Sequence, residues 1–278
     1  MIPPIANNFV AGESPTEAIG HAQSLNSNDV GAILNLLGEH YTDPAEARQD
    51  TEAYLELLRE IDYSNTRTCI SVKPSQIGFD IDETTFRDNL ESIVETADEL
   101  DTFVWIDMED SSTTDATLDV FENLTTRYDG GVGICVQANL KRTEDDLERL
   151  ATLPGKVRLV KGAYDEPPEV AYQEKARVND EYRTLMELMF EEFDDGIAIG
   201  SHDPEMIDLA VDLYQEYGTD FEVQMLMGVR ESAQFELAEE HEVYQYVPYG
   251  EKWFSYFYRR AMERKENALF AIRAILGR

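Results

Sequence analysis

Short apolar runs alternate with longer amphipathic stretches from one end of the chain to the other, and no other feature limits the possible folds so tightly. The runs are "VGAILNLL" at 30–37, "TCISV" at 68–72, "FVWID" at 103–107, "GICVQ" at 133–137, "VRLVKG" at 157–162, "IAIGS" at 197–201, "FEVQML" at 221–226 and "VYQYVP" at 243–248. Each reads as a buried strand. Helical periodicity between and after them predicts helices near 44–61, 83–98, 112–127, 143–151, 169–193, 204–216, 230–240 and 252–276. Asp43 before Pro44 and Asp203 before Pro204 are helix start signals, a capping side chain followed by a residue whose missing N–H costs nothing in the first turn.

Eight strand–helix units in 278 residues predict an α/β chain folded as one domain, a closed parallel (βα)8 barrel of the TIM type. No linker rich in Pro, Gly or Ser interrupts the series, and no G-x-G-x-x-G follows the first strand, which weighs against a dinucleotide-binding doubly wound sheet. The core spans about 30–270, with 1–29 as an N-terminal extension. A parallel barrel gathers the C-terminal ends of its strands around one mouth. Here those ends carry Glu39, Lys73, Asp107 and Glu109, Gln137, Lys161, His202, Gln224, and Tyr246 with Tyr249, a polar group for every strand.

Charge removes one class of partner. Fifty-seven acidic against 23 basic residues give a net charge of -34, which repels phosphate backbones and excludes nucleic acid. The acid is spread along helices instead of forming a tail, a pattern suited to very high salt, where screening suppresses self-repulsion. Cys69 and Cys135 lie in apolar strands and read as buried free thiols, which points to an intracellular, cytoplasmic setting. No signal-like start is present, and no run approaches the roughly 20 apolar residues a membrane span requires.

Within this frame several residues stand out. Arg158 sits inside an apolar strand, so it meets an anion or an electron-rich ring at the mouth, or else an internal ion pair with Asp107 or Glu109. Lys161 and the backbone of Gly162 suit a diphosphate. Ser201 and His202 stand where a strand passes into a helix, an anion-favouring position, though a histidine there serves equally as a structural hydrogen bonder. Tyr256, Arg259, Arg260 and Glu263 fall on one helix face, where Glu263 orients two guanidiniums toward a small carboxylate; the competing reading is a solvated basic helix end. No H-x-x-x-H or C-x-x-C occurs, and four scattered histidines form no metal ligand set.

Taken in order, "SVKPS", "IDMED", "CVQANLKR", "RLVKGAY", "GSHD", "EVQMLMGVR" and "YVPYGEKWFSYFYRRAMERKEN" resemble the proline dehydrogenase family of flavoenzymes, in its short monofunctional form, from about Ile33 to Asn267. The resemblance implies a distorted barrel that holds FAD, takes a hydride from C5 of L-proline to give 1-pyrroline-5-carboxylate, and passes the electrons to a quinone or other membrane acceptor. It implies that Arg259, Arg260 and Lys73 bind the proline carboxylate, with Glu263 fixing the arginines. Tyr246, Tyr256, Leu226 and Tyr164 would pack the pyrrolidine ring. Asp107 and Arg158 would be the polar residues nearest the reacting centre, with Asp107 holding Lys73 or acting as a base. Met108, Gln137, Arg158, Lys161, Gly162, Ala163, Ser201 and His202 would contact FAD. Asp165 stands where the family commonly has tryptophan, and Asn139 where it has an aromatic residue. Quinone use would bring the chain to the inner face of the membrane, at least peripherally. Two other readings remain at this stage, a flavoenzyme for another cyclic amino acid such as hydroxyproline and a non-catalytic sensor of proline.

Overall fold

The computed structural model describes residues 6–254 and 256. Eight strands close into a parallel barrel in chain order: β1 (Val30–Leu36), β2 (Thr68–Val72), β3 (Val104–Ile106), β4 (Val132–Gln137), β5 (Lys156–Val160), β6 (Ile197–Gly200), β7 (Phe221–Leu226) and β8 (Glu242–Tyr249). Closure is made by β8 on β1, where Val30 to Leu36 pair in register with Val243 to Tyr249. Helices α2 (Pro44–Ser64), α3 (Glu83–Glu99), α4 (Thr114–Arg127), α5 (Thr143–Leu150), α6 (Lys175–Glu192), α7 (Pro204–Tyr217) and α8 (Glu231–Leu237) follow successive strands, and α1 (Pro15–Asn26) precedes β1.

Period-two alternation sorts each strand's side chains between two cores. One lies between sheet and helices, with Val30, Leu34, Ile70, Ile106, Ile134, Leu159, Val223 and Val243 facing Tyr54, Leu57, Phe86, Phe121, Tyr182 and Met189. The other fills the barrel, where Ile33, Cys69, Trp105 and Ala198 pack with Phe103, Tyr244 and Tyr246. The inner aromatics fit because small residues stand opposite them. A Cβ on Gly133 would come within 2.6 Å of the Trp105 ring, and one on Gly31 within 2.3 Å of Tyr244. Cys69 and Cys135 are both buried and free.

Of the boundaries that differ from expectation, two have visible reasons. The helix expected from 169 begins at Lys175, because the segment after Pro167 and Pro168 pairs with the β4–α5 loop: Lys141 N–H donates to Val170 O at 2.9 Å and Tyr172 N–H to Asn139 O at 2.8 Å. Strand β5 stops at Val160 instead of 162, since Gly162 takes a left-handed φ of 99° that breaks the pleat. The N-terminal segment contributes to the main core, with Ala18, Ile19, Ala22 and Leu25 of α1 buried in it. Among the described residues, no helix is long and apolar enough to cross a membrane. The expected helix at 252–276 lies largely outside the described residues.

Candidate active site

A cavity of about 910 Å³ opens at the C-terminal ends of the strands, near the upper end of volumes that hold small molecules and cofactors. Its lining includes Lys73, Asp107, Met108, Gln137, Arg158, Lys161, Gly162, Ala163, Tyr164, Ser201, His202, Leu226, Tyr246 and Tyr256. Every described residue singled out from the sequence as a site residue therefore faces one space. Arg259, Arg260 and Glu263 lie outside the described residues.

The floor is a hydrogen-bonded group centred on Asp107. Its Oδ1 accepts from Ser71 Oγ at 2.6 Å and from the Arg158 guanidinium, and its Oδ2 accepts from the Tyr246 hydroxyl at 2.6 Å. Between the two partners left open for Arg158, the fold selects Asp107. Glu109 turns away and accepts from Ser75 N–H and Ser75 Oγ, each at 2.7 Å. Burial pushes the Glu109 carboxyl above its usual range despite those donors. Arg158 also lies 5.0 Å from the centroid of Trp105 and 5.7 Å from that of Tyr246, so rings meet it as well as the carboxylate.

Below the floor, sequence reasoning missed a supporting chain. Arg158 donates to Gln224 Oε1 at 3.0 Å, Gln224 Nε2 donates to Glu222 Oε1 at 2.5 Å, and Lys156 donates to Glu222 Oε2 at 2.6 Å. The signal was present: Glu222 and Gln224 alternate on the inner face of β7, as Lys156 and Arg158 do on β5. Tyr246 is half-buried, and desolvation of its hydroxyl, reinforced by the neighbouring Asp107 charge, holds its phenol pKa well above the ordinary value.

Around the mouth, Lys73 donates to Glu39 Oε2 at 3.0 Å. The Lys73 ammonium is thus held by Glu39, while Asp107 takes its hydrogen bonds from Ser71, Arg158 and Tyr246. Lys161 donates to Asn179 Oδ1 at 2.7 Å and Asp203 Oδ2 at 2.9 Å, and the ammonium keeps the Asp203 carboxyl below its usual range. Asp203 also caps α7, accepting from Glu205 N–H at 3.2 Å, so that helix end already faces a carboxylate of the chain itself. Gln137 donates to Glu109 O at 2.8 Å. His202 Nε2 accepts from Leu226 N–H at 3.2 Å, while Arg230 donates to His202 O at 2.6 Å. The histidine thus serves structurally and still borders the cavity. Burial raises the Cys135 thiol pKa, so this lining residue is a poor nucleophile.

Two buried polar atoms have no partner among the described residues, Arg158 Nε on this wall and Asn139 Oδ1 behind it. Asn139 lies behind Gly162, where a Cβ would come within 2.0 Å of its Oδ1. The open backbone at Gly162, the cation Lys161 and the orphaned Arg158 donor together make a wall suited to a large polar, anionic group.

Comparison with known proteins points to one family. The family model described as proline dehydrogenase matches residues 18–273. Proline dehydrogenase 2 of Bacillus subtilis (strain 168) is 34% identical over 276 residues, covering 97% of this chain and 90% of the relative. Proline dehydrogenase of Deinococcus radiodurans is 34% identical over 282 residues, covering 98% and 90%. Among solved structures, proline utilization A from Bdellovibrio bacteriovorus, inactivated by N-propargylglycine, superposes with a TM-score of 0.84 at 24% identity. That match covers 92% of this chain but 32% of the longer one, and it speaks to the fold alone.

Proposed function

The chain belongs to the proline dehydrogenase family, and from that premise we propose that its cavity holds FAD and L-proline together and converts proline to 1-pyrroline-5-carboxylate. The observation that carries this reading is the convergence of every described site residue on one cavity at the strands' C-terminal ends. FAD, when bound, supplies the acceptor for the hydride that leaves C5, while the amine gives up its proton and the carbon–nitrogen double bond forms. The residues present fit such a group. Arg158 Nε is a buried donor with no partner among the described residues, Gly162 leaves its backbone open, and Lys161, Ser201 and His202 border the same wall.

Substrate positioning falls to the other side of the cavity. Lys73 uses one N–H on Glu39 and keeps two for a substrate carboxylate. Arg259 and Arg260, which lie outside the described residues, would complete that clamp, with Glu263 fixing them, as the family pattern implies. Leu226, Tyr164, Tyr246 and Tyr256 form the apolar walls against which a pyrrolidine ring packs. A clamp of cations favours the uncharged proline amine by like-charge repulsion, which helps the proton leave. Asp107 is assigned to positioning, because Ser71, Arg158 and Tyr246 already engage both of its oxygens and it orients the guanidinium and the phenol in return. Electrons would leave to a quinone or other membrane acceptor, which calls for peripheral membrane contact by an otherwise cytoplasmic enzyme.

Steady-state proline oxidation with a quinone acceptor tests the assignment. Lys73→Met and Arg259→Met should each raise KM for L-proline by about ten- to a hundredfold, the loss of one charge-assisted hydrogen bond, while flavin content stays unchanged. Lost flavin with preserved proline affinity would show that the two subsites are misplaced.

A further inference from the structure

Outside the cavity, a row of buried side chains ends on the peptide group of Leu226. Gln234 of α8 and Gln245 of β8 are both fully buried. Gln234 Nε2 donates to Leu226 O at 3.1 Å and Val229 O at 2.8 Å. Gln245 Nε2 donates to Gln234 Oε1 at 2.8 Å, and Gln245 Oε1 lies 2.7 Å from Nε2 of His21 on α1.

The direction of this row is set from its inner end. Backbone carbonyls only accept, so the Gln234 atom facing them must be its amide nitrogen. Its oxygen then faces Gln245, which must answer with nitrogen, and Gln245 presents its own oxygen to His21. The His21 Nε2 must therefore carry a proton. Each amide has one orientation that satisfies both neighbours, and reversing any one leaves a buried donor or acceptor unmatched.

At its other end the Leu226 peptide is held as firmly, because its N–H donates to His202 Nε2. One residue of the cavity wall thus has its N–H held by a residue of the cofactor side, and its carbonyl held both by Val229 N–H at 3.3 Å and, through α8 and β8, from α1.

We infer that Gln234, Gln245 and His21 are positioning residues that set the placement of Leu226 and hence the enzyme's affinity for its amino-acid substrate. This rests on the reading that Leu226 packs against the substrate ring. None of the three lines the cavity, so they act only through the wall they hold. Their effect belongs to substrate binding and leaves the hydride step and cofactor content alone.

The experiment compares His21→Leu, His21→Gln, Gln234→Met and Leu226→Ala in steady-state proline oxidation, with flavin absorbance and the ring ¹⁵N signals of His21 recorded on the same proteins. Leu226→Ala calibrates the pocket. His21→Leu removes the donor at a half-buried position and should raise KM for L-proline about threefold or more, with kcat within about twofold and flavin unchanged. His21→Gln, which restores an N–H, should return KM to within about twofold of the parent. Gln234→Met should give the largest change of the three relay variants, about tenfold. In the parent protein, the His21 ring should show a proton on Nε2. The inference is overturned if Leu226→Ala raises KM while His21→Leu and Gln234→Met do not, or if Nε2 of His21 proves unprotonated. If Leu226→Ala itself leaves KM unchanged while the His21 signal is as expected, the relay stands as structure, but its role in substrate binding is refuted along with the pocket reading.

Discussion

Asp107 shows what one carboxylate does when three donors converge on it. Ser71, Arg158 and Tyr246 fix both of its oxygens, and in return it fixes the guanidinium and the phenol that face the cavity. Burial, then the Asp107 charge, raises the Tyr246 pKa, so the native state keeps that proton longer than the unfolded chain does. For an acid shifted upward, the native state binds the extra proton, and stability falls only as pH rises past the unfolded value of about 10. The catalytic pH profile should accordingly contain no alkaline limb from Tyr246 below about pH 10. A limb in that range that disappears in Tyr246→Phe would contradict this placement. Arg158 was legible in the sequence as a charged residue in an apolar strand, but its partner was not. Asp107 and Glu109 are two residues apart and look equivalent by alternation; they differ because β3 ends at Ile106 and the chain turns Glu109 toward Ser75. The Lys73–Glu39 pair was hidden for a related reason, since it joins two loops whose approach no periodicity encodes.

At the level of elements, the strands were legible because burial on both faces writes a continuous apolar run, and α2 and α7 because their starts carry caps. Helix α6 was overextended at its start, where Pro167, Pro168 and pairing with the β4–α5 loop override a helical pattern. Helix α1 was read as lying in an extension, yet it buries four residues in the main core and opens with a full capping box. Ser14 Oγ accepts from Glu17 N–H at 3.4 Å, and Glu17 Oε2 accepts from Ser14 N–H at 3.1 Å. Ser14→Ala should cost about 1 kcal/mol and lower Tm by about 2 °C in a domain of this size. An unchanged Tm would mean that α1 contributes little to the cooperative fold.

The whole molecule carries a net charge of -34 on a closed barrel, and its self-repulsion opposes compactness. Raising salt from about 0.1 M to about 1 M shortens the screening length from about 10 Å to about 3 Å. Melting temperature should therefore rise with salt over that range, and a flat or falling Tm would count against a surface adapted to high ionic strength. The same scale carries the central claim, that the barrel mouth brings flavin and proline together. The direct measurement is an anaerobic titration of the purified protein with L-proline, followed from about 350 to 550 nm. A yellow protein that bleaches as proline is added is the predicted result. A yellow protein that proline leaves unchanged would contradict the substrate assignment, and a colourless one that binds proline without taking up added FAD would contradict the reaction itself.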